Sequence, residues 1–399
     1  MSNLPQSLIL NMCLKDLHRI RQLIPGAGCK VKDMATGFVW EELYGWHSTG
    51  SNTGQTPSSS IVQPYQHFES PETKVRFASL VEVSGLAKDL VRIPAIPATE
   101  EDLLRVHTQE HLARIKRESL NPKGGDAGDG DSPFGLGGFE IAALAAGGAI
   151  AALRAVVSGE VNNAYALVRP PGHHAIASTG MGYCIFANAA IAIENVRATM
   201  GVQRVAIVDW DVHHGNGTQD IYFSDPDVLC ISIHQDNLYP ANSGLVDEIG
   251  DGLAAGSVIN IPLPAGSGIG AYSSAFDRVV LPAIRRFNPD VIVITSGFDS
   301  SAFDPLAQML LTAAGYSELT KKILQLADEV CSGRVMMTHE GGYSPVYVPY
   351  CGLAVLEEMS SIKTGMNDPY GHAFENLPDQ KLSAAQADRI SQVVATHAL

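Results

Sequence analysis

The run Asp211-Val212-His213 puts a carboxylate and an imidazole on alternate residues. In an extended segment alternate side chains point the same way, so both can reach one ion. Asp299 follows the apolar run 291–295 and offers a third ligand. Two carboxylates and one imidazole leave a coordination position open, which a catalytic zinc needs. Taken alone, a pair such as Asp211/His213 is commonly accidental, and Asp299 reads as a helix N-cap. His173 and His174 follow a stiff Pro170-Pro171-Gly172 turn. Asp209 and Asn216 flank the Asp211/His213 pair and can hold the two imidazoles by their second nitrogens, fixing tautomer and basicity. Tyr343 follows Gly341 and Gly342. Its bland reading is a core tyrosine; its place after a strand favours a hydroxyl aimed into a site.

Short apolar runs must position these residues. The pattern predicts helices at 139–157, 187–199, 217–223, 271–287 and 309–331. It predicts strands at 164–168, 204–208, 228–233, 258–261, 291–295 and 335–338. Strands of this kind, alternating with helices, are buried on both faces and form a parallel sheet. Ligands of such sheets bind beyond the carboxyl ends of the strands. Those ends carry RPPGHH, DWDVHHGNG, His234, SGFD and HEGGY. Polar groups from five strands on one sheet edge are not what a merely structural arrangement produces. Stretches 48–64 and 121–138 are rich in turn formers and read as loops.

The bulk composition narrows the rest. The 399 residues are 45% hydrophobic and 17% charged, which is a globular composition. A net charge of −15 argues against direct nucleic-acid binding, which needs a basic face. The cysteines, at 13, 29, 184, 230, 331 and 351, form no CxxC pair, so free thiols are expected. The N-terminal apolar patch lacks a basic lead and does not read as a signal peptide. The run 141–157 is shorter than a bilayer span and reads as a buried helix. No membrane is expected as a partner, and the cytoplasm is the default location. A homo-oligomer is left open. The expected organisation is one α/β domain over 69–399, with an N-terminal embellishment and loop at 1–68.

Four runs, in order, resemble the histone deacetylase family. They are Arg169-Pro170-Pro171-Gly172-His173-His174, the stretch from Asp209 to Thr218, Ser296-Gly297-Phe298-Asp299 with Asp304-Pro305-Leu306, and Glu340-Gly341-Gly342-Tyr343. The likeness covers about residues 70–360 and is strongest to the class II branch and its bacterial amidohydrolase relatives, including acetylpolyamine amidohydrolases. It implies an arginase/deacetylase-type α/β fold, with a central mostly parallel sheet flanked by helices. By the same resemblance Asp211, His213 and Asp299 match zinc ligands, one ion per chain. His173 and His174 match tandem catalytic histidines paired with Asp209 and Asn216. Tyr343 matches the tyrosine that stabilises the transition state. Tyr183, beside Gly182, matches an aromatic wall of the acyl-lysine tunnel, usually phenylalanine, and Asp131 matches a rim aspartate that grips substrate. Asp209, Asp211, His213 and Ser232 fall where the family has a structural potassium ion. Ser300-Ser301 and Ala307 depart from the family pattern, which bears on rim shape and substrate choice. The implied activity is deacylation of an acylated amine: acetyl-lysine, an acetylpolyamine or another small amide. Two rivals are a catalytically silent acyl-lysine-binding module and an arginase-like binuclear ureohydrolase.

Overall fold

The computed structural model describes residues 35–399. Cys13, Cys29 and the N-terminal apolar patch lie outside the described residues. A single eight-stranded sheet organises residues 35–399. Its strands, in chain order, are β1 (Thr36–Val39), β2 (Val91–Arg92), β3 (Asn163–Ala166), β4 (Val205–Asp209), β5 (Val228–Gln235), β6 (Val258–Leu263), β7 (Val291–Ser296) and β8 (Val335–His339). They lie in the order β6-β5-β4-β7-β8-β3-β1-β2, and every neighbouring pair is parallel. This is the α/β architecture expected from the alternating apolar runs.

Strand residues alternate between two cores. Ala206, Val208, Ile292 and Ile294 face one cluster; Val205, Ile207, Val291 and Val293 face the other. Period-2 side-chain geometry with apolar residues in both phases forces helices onto both faces. One layer contains α1 (Glu72–Val83), α5 (Ala313–Val330) and α6 (Val348–Ser360). The other contains α2 (Gly138–Ser158) and α3 (Asn188–Met200). With α4 (Asn216–Tyr222) these are the helices that matter for the site. Helix α2 has 21 residues, enough by length and apolarity for a membrane span. Its burial in the protein core is what accounts for its composition. Cys184, Cys230, Cys331 and Cys351 are free and buried.

Several boundaries differ from expectation. Thr36–Val39 belongs to the central sheet, paired with both β2 and β3, so residues 35–68 include part of the scaffold. The turn-rich stretches contain short antiparallel ribbons at 51–66 and 125–134. The single helix expected over 271–287 is Ile269–Ala275, a π turn Phe276–Val280 and Leu281–Phe287. Pro282 has no N–H to donate and crowds the preceding turn, which a wider turn relieves. Helix α5 starts at Ala313 rather than 309, because the Thr312 hydroxyl caps the Gly315 N–H at 3.3 Å.

Candidate active site

The loaded strand ends converge. Asp211 and Asp299 are fully buried, and His213 nearly so. His213 Nδ1 lies 3.1 Å from Asp211 Oδ1 and 3.1 Å from Asp299 Oδ2. One ligand atom from each residue falls within 4.8 Å of the others. The outer oxygens are tied to the backbone: Val212 N–H donates to Asp299 Oδ1 at 2.8 Å, and Gly341 N–H to Asp211 Oδ2 at 2.8 Å. Burial, and then the charge of Asp211, push the Asp299 carboxyl above its ordinary range. Two buried carboxylates side by side are costly unless a cation joins them. Glycines keep the space clear. A Cβ on Gly297 would stand 2.1 Å from Asp211 Oδ2, and one on Gly341 would stand 2.2 Å from Asp299 Oδ2. The donor set and its cleared surroundings fit one divalent ion.

The tandem histidines sit beside this cluster, with ring centroids 3.9 Å apart. His173 Nδ1 meets Asp209 Oδ2 at 3.0 Å, and His174 Nδ1 meets Asn216 Oδ1 at 2.7 Å. Asp209 ends β4, and Asn216 opens α4. The turn before the histidines is held from β8's end: Glu340 Oε2 accepts from Gly172 N–H at 2.6 Å and His173 N–H at 3.0 Å. These partners push the two imidazoles apart. Burial disfavours the charged form of His173, but Asp211 and Asp209 outweigh it and hold its pKa near 10. Burial, His173 and His213 drive His174 well below its ordinary value, because Asn216 supplies a hydrogen bond without a charge.

Above these groups lies a cavity of about 200 Å³, lined by Gln55, Asp131, His174, Gly182, Tyr183, His213, Leu238, Tyr239, Leu306 and Tyr343. The Tyr183 and Tyr343 rings meet edge to face at 5.6 Å, and Tyr239 stands edge-on to His174 at 4.9 Å. Tyr343 is positioned by its N–H, which donates to Asp304 Oδ2 at 2.7 Å. Tyr183 adopts a left-handed backbone (φ 70°), unusual for a bulky residue. Three side chains hold it there: Ser132 Oγ accepts its N–H at 2.8 Å, Asp129 Oδ2 accepts the Gly182 N–H at 2.7 Å, and Gln55 Nε2 donates to its hydroxyl at 2.6 Å.

All of the residues singled out from the metal, histidine and tyrosine motifs meet here, and Asp131, Gly182 and Tyr183 line the cavity. Other expectations shift. His234 is committed elsewhere, its Nδ1 to Ser232 Oγ at 2.9 Å and its Nε2 to the Gly244 carbonyl at 3.1 Å. Ser300 and Ser301 are buried, with Ser300 Oγ 2.7 Å from the Tyr272 hydroxyl, so they do not shape the rim. Gln55, Leu238 and Tyr239 escaped sequence reading. They sit on loops whose approach to the cavity leaves no periodic trace.

The histone deacetylase domain matches residues 67–359. The chain belongs to the histone deacetylase family. It is 46% identical to a histone deacetylase-like amidohydrolase of Pseudomonas aeruginosa, over 91% of this chain and 96% of that one. It is 38% identical to a probable deacetylase of Archaeoglobus fulgidus, over 88% and 94% of the two chains. Its fold is similar to the crystal structure of the HDA15 HD domain, with a TM-score of 0.79, 31% identity and coverage of 92% and 94%. Membership of this family makes the chain a deacetylase-type amidohydrolase. Its fold is the family's arginase/deacetylase fold.

Proposed function

We propose that the protein is a zinc-dependent deacylase that hydrolyses the amide of an acylated amine. The observation that carries this reading is the junction of a buried Asp211/His213/Asp299 cluster with the His173/His174 pair, beside one cavity that His213, His174 and Tyr343 line. A zinc ion held by the three ligands supplies Lewis acidity toward the acyl carbonyl and lowers the pKa of water there. The protein's own groups do the rest. His174 stays neutral, with Nδ1 turned to Asn216, so Nε2 is free to take a proton from water. His173, whose charged form Asp211 and Asp209 favour and whose Nδ1 Asp209 holds, supplies positive charge to the oxyanion side. The Tyr343 hydroxyl keeps its proton, because burial, Asp299 and Asp211 all disfavour a phenolate, and it donates to the oxyanion. His174 then returns its proton to the leaving amine. Asp131 and the Tyr183 wall receive the amine's chain.

The expected potassium ion near Asp209, Asp211, His213 and Ser232 is retained as part of this proposal. Ser232 and Asp209 are register partners on adjacent strands. A binuclear ureohydrolase is the weaker reading. The neighbouring cluster of His173, Cys184 and Glu340 is partly committed, with His173 Nδ1 on Asp209, Glu340 Oε2 on two backbone N–H groups and Cys184 Sγ on His174 N–H at 3.4 Å, and it offers one carboxylate where a binuclear site needs several. A panel of acetyl-lysine peptides, acetylpolyamines and small acyl amides tests the activity. Turnover of none of them would refute the deacylase reading and favour a silent binding module.

Metal content tests the ligand set. Purified protein is expected to carry about one zinc per chain, and Asp211→Ala or Asp299→Ala to lose it, since each removes one of three ligands. Two manganese ions per chain by elemental analysis would favour the binuclear rival. A hydroxamate with an aromatic cap is expected to inhibit at low concentration, its two oxygens chelating the open position and its linker lying along Tyr183. Indifference of an active preparation to such compounds would argue against an accessible ion at the cavity floor.

A further inference from the structure

Behind the Tyr343 ring lies a cluster of charges that the proposed chemistry leaves unused. Glu69, Lys74 and Arg169 are all fully buried. Arg169 holds Glu69 in a fork: Nε donates to Oε1 at 2.8 Å, and Nη2 lies 2.8 Å from Oε2. Its Nη1 donates to the carbonyls of Tyr44 at 3.1 Å and His47 at 2.6 Å. That pair neutralises itself. Burial and the Arg169 charge push His47 down to about 3, so it adds no charge.

Lys74 is the surplus. Its Nζ lies 3.2 Å from Glu69 Oε1 and 5.6 Å from the centroid of the Tyr343 ring. Burial lowers the pKa of this amine, and Glu69 pulls it back up. An ammonium this deep, sharing a carboxylate whose charge an arginine already balances, is an expensive arrangement for packing alone. Lys74 comes from α1 and Arg169 from the segment leading into the tandem histidines, so the shared Glu69 ties the two together.

We propose that Lys74 polarises and positions Tyr343: its ammonium, held against the ring by Glu69, strengthens the phenol as a donor to the substrate oxyanion. A cation facing an aromatic ring draws electron density from it, and in a site this deeply buried that field is poorly screened. The role rests on the deacylase reading above. It concerns a residue that never touches substrate.

A double-mutant cycle tests it. Lys74→Met keeps an unbranched chain of similar length and leaves Glu69 paired with Arg169. In the wild-type background it is expected to lower kcat about tenfold, the scale of a desolvated cation–π contact, with KM changed less than about twofold. In a Tyr343→Phe background, where no hydroxyl remains to polarise, the same substitution is expected to change kcat less than about twofold. Equal losses in both backgrounds would show that Lys74 merely packs, and no loss in either would dismiss it. Melting temperature and zinc content are read on each variant. If Lys74→Met does not fold, Lys74→Gln runs the same cycle. Failure of the unmodified protein on every acyl amide sinks the deacylase reading itself, an outcome distinct from either cycle result.

Discussion

The His174→Ala variant is expected to bind zinc normally and to lose turnover by ~10²–10⁴-fold, the contribution of a positioned acid/base group. His174 is not among the proposed ligands: the grouped donor atoms come from Asp211, His213 and Asp299. What the substitution removes is a ring whose Nδ1 is fixed on Asn216 at 2.7 Å and whose other nitrogen borders the cavity. The environment decides its protonation. His173 and His213 stand beside it, and its own partner is a neutral amide, so the imidazolium is disfavoured. A bound dication acts in the same direction. The base form is therefore present below the ordinary histidine value, and the acid limb of kcat/KM is expected below about pH 6.5. If His174→Ala turned over near the normal rate with full zinc, the proton would be moving through another group, with His173 first in line.

The sheet was readable because its strands are apolar in both phases, a pattern only a doubly covered parallel sheet uses. The clustering of the candidate ligands and histidines was readable because chemistry ties such residues to strand ends at short spacing. Three things were not readable, for physical reasons. Thr36–Val39 joins the sheet beside β3, its partner more than a hundred residues away, and a strand of four residues carries too little periodicity to announce itself. Gln55 reaches Tyr183 from a turn-rich ribbon whose composition gives no hint of where it folds. Ser300 and Ser301 departed from the family pattern beside a ligand, which suggested the rim. Both are buried, Ser300 against Tyr272, as the chain turns inward after Asp299. Residue type and local spacing carry the chemistry of a site; long-range loop placement carries its shape.

Shape and chemistry meet in Tyr343, and Tyr343→Phe separates them. The substitution keeps a ring packed edge-on to Tyr183 at 5.6 Å and the backbone N–H that Asp304 holds at 2.7 Å. Folding and zinc content are therefore expected to change little. Only the hydroxyl goes. Loss of one donor to a developing oxyanion costs roughly 3–4 kcal/mol, or ~10²–10³ in kcat. KM is expected to move much less, because the ground-state carbonyl carries little charge for the hydroxyl to meet. A tyrosine that merely packs gives the opposite pattern, a small loss of melting temperature with kcat intact. Measuring kcat, KM and melting temperature on one preparation distinguishes the two. An unchanged kcat would assign Tyr343 to the wall of the cavity and leave oxyanion stabilisation to the ion and His173. It would also remove the hydroxyl on which the field of Lys74 is proposed to act.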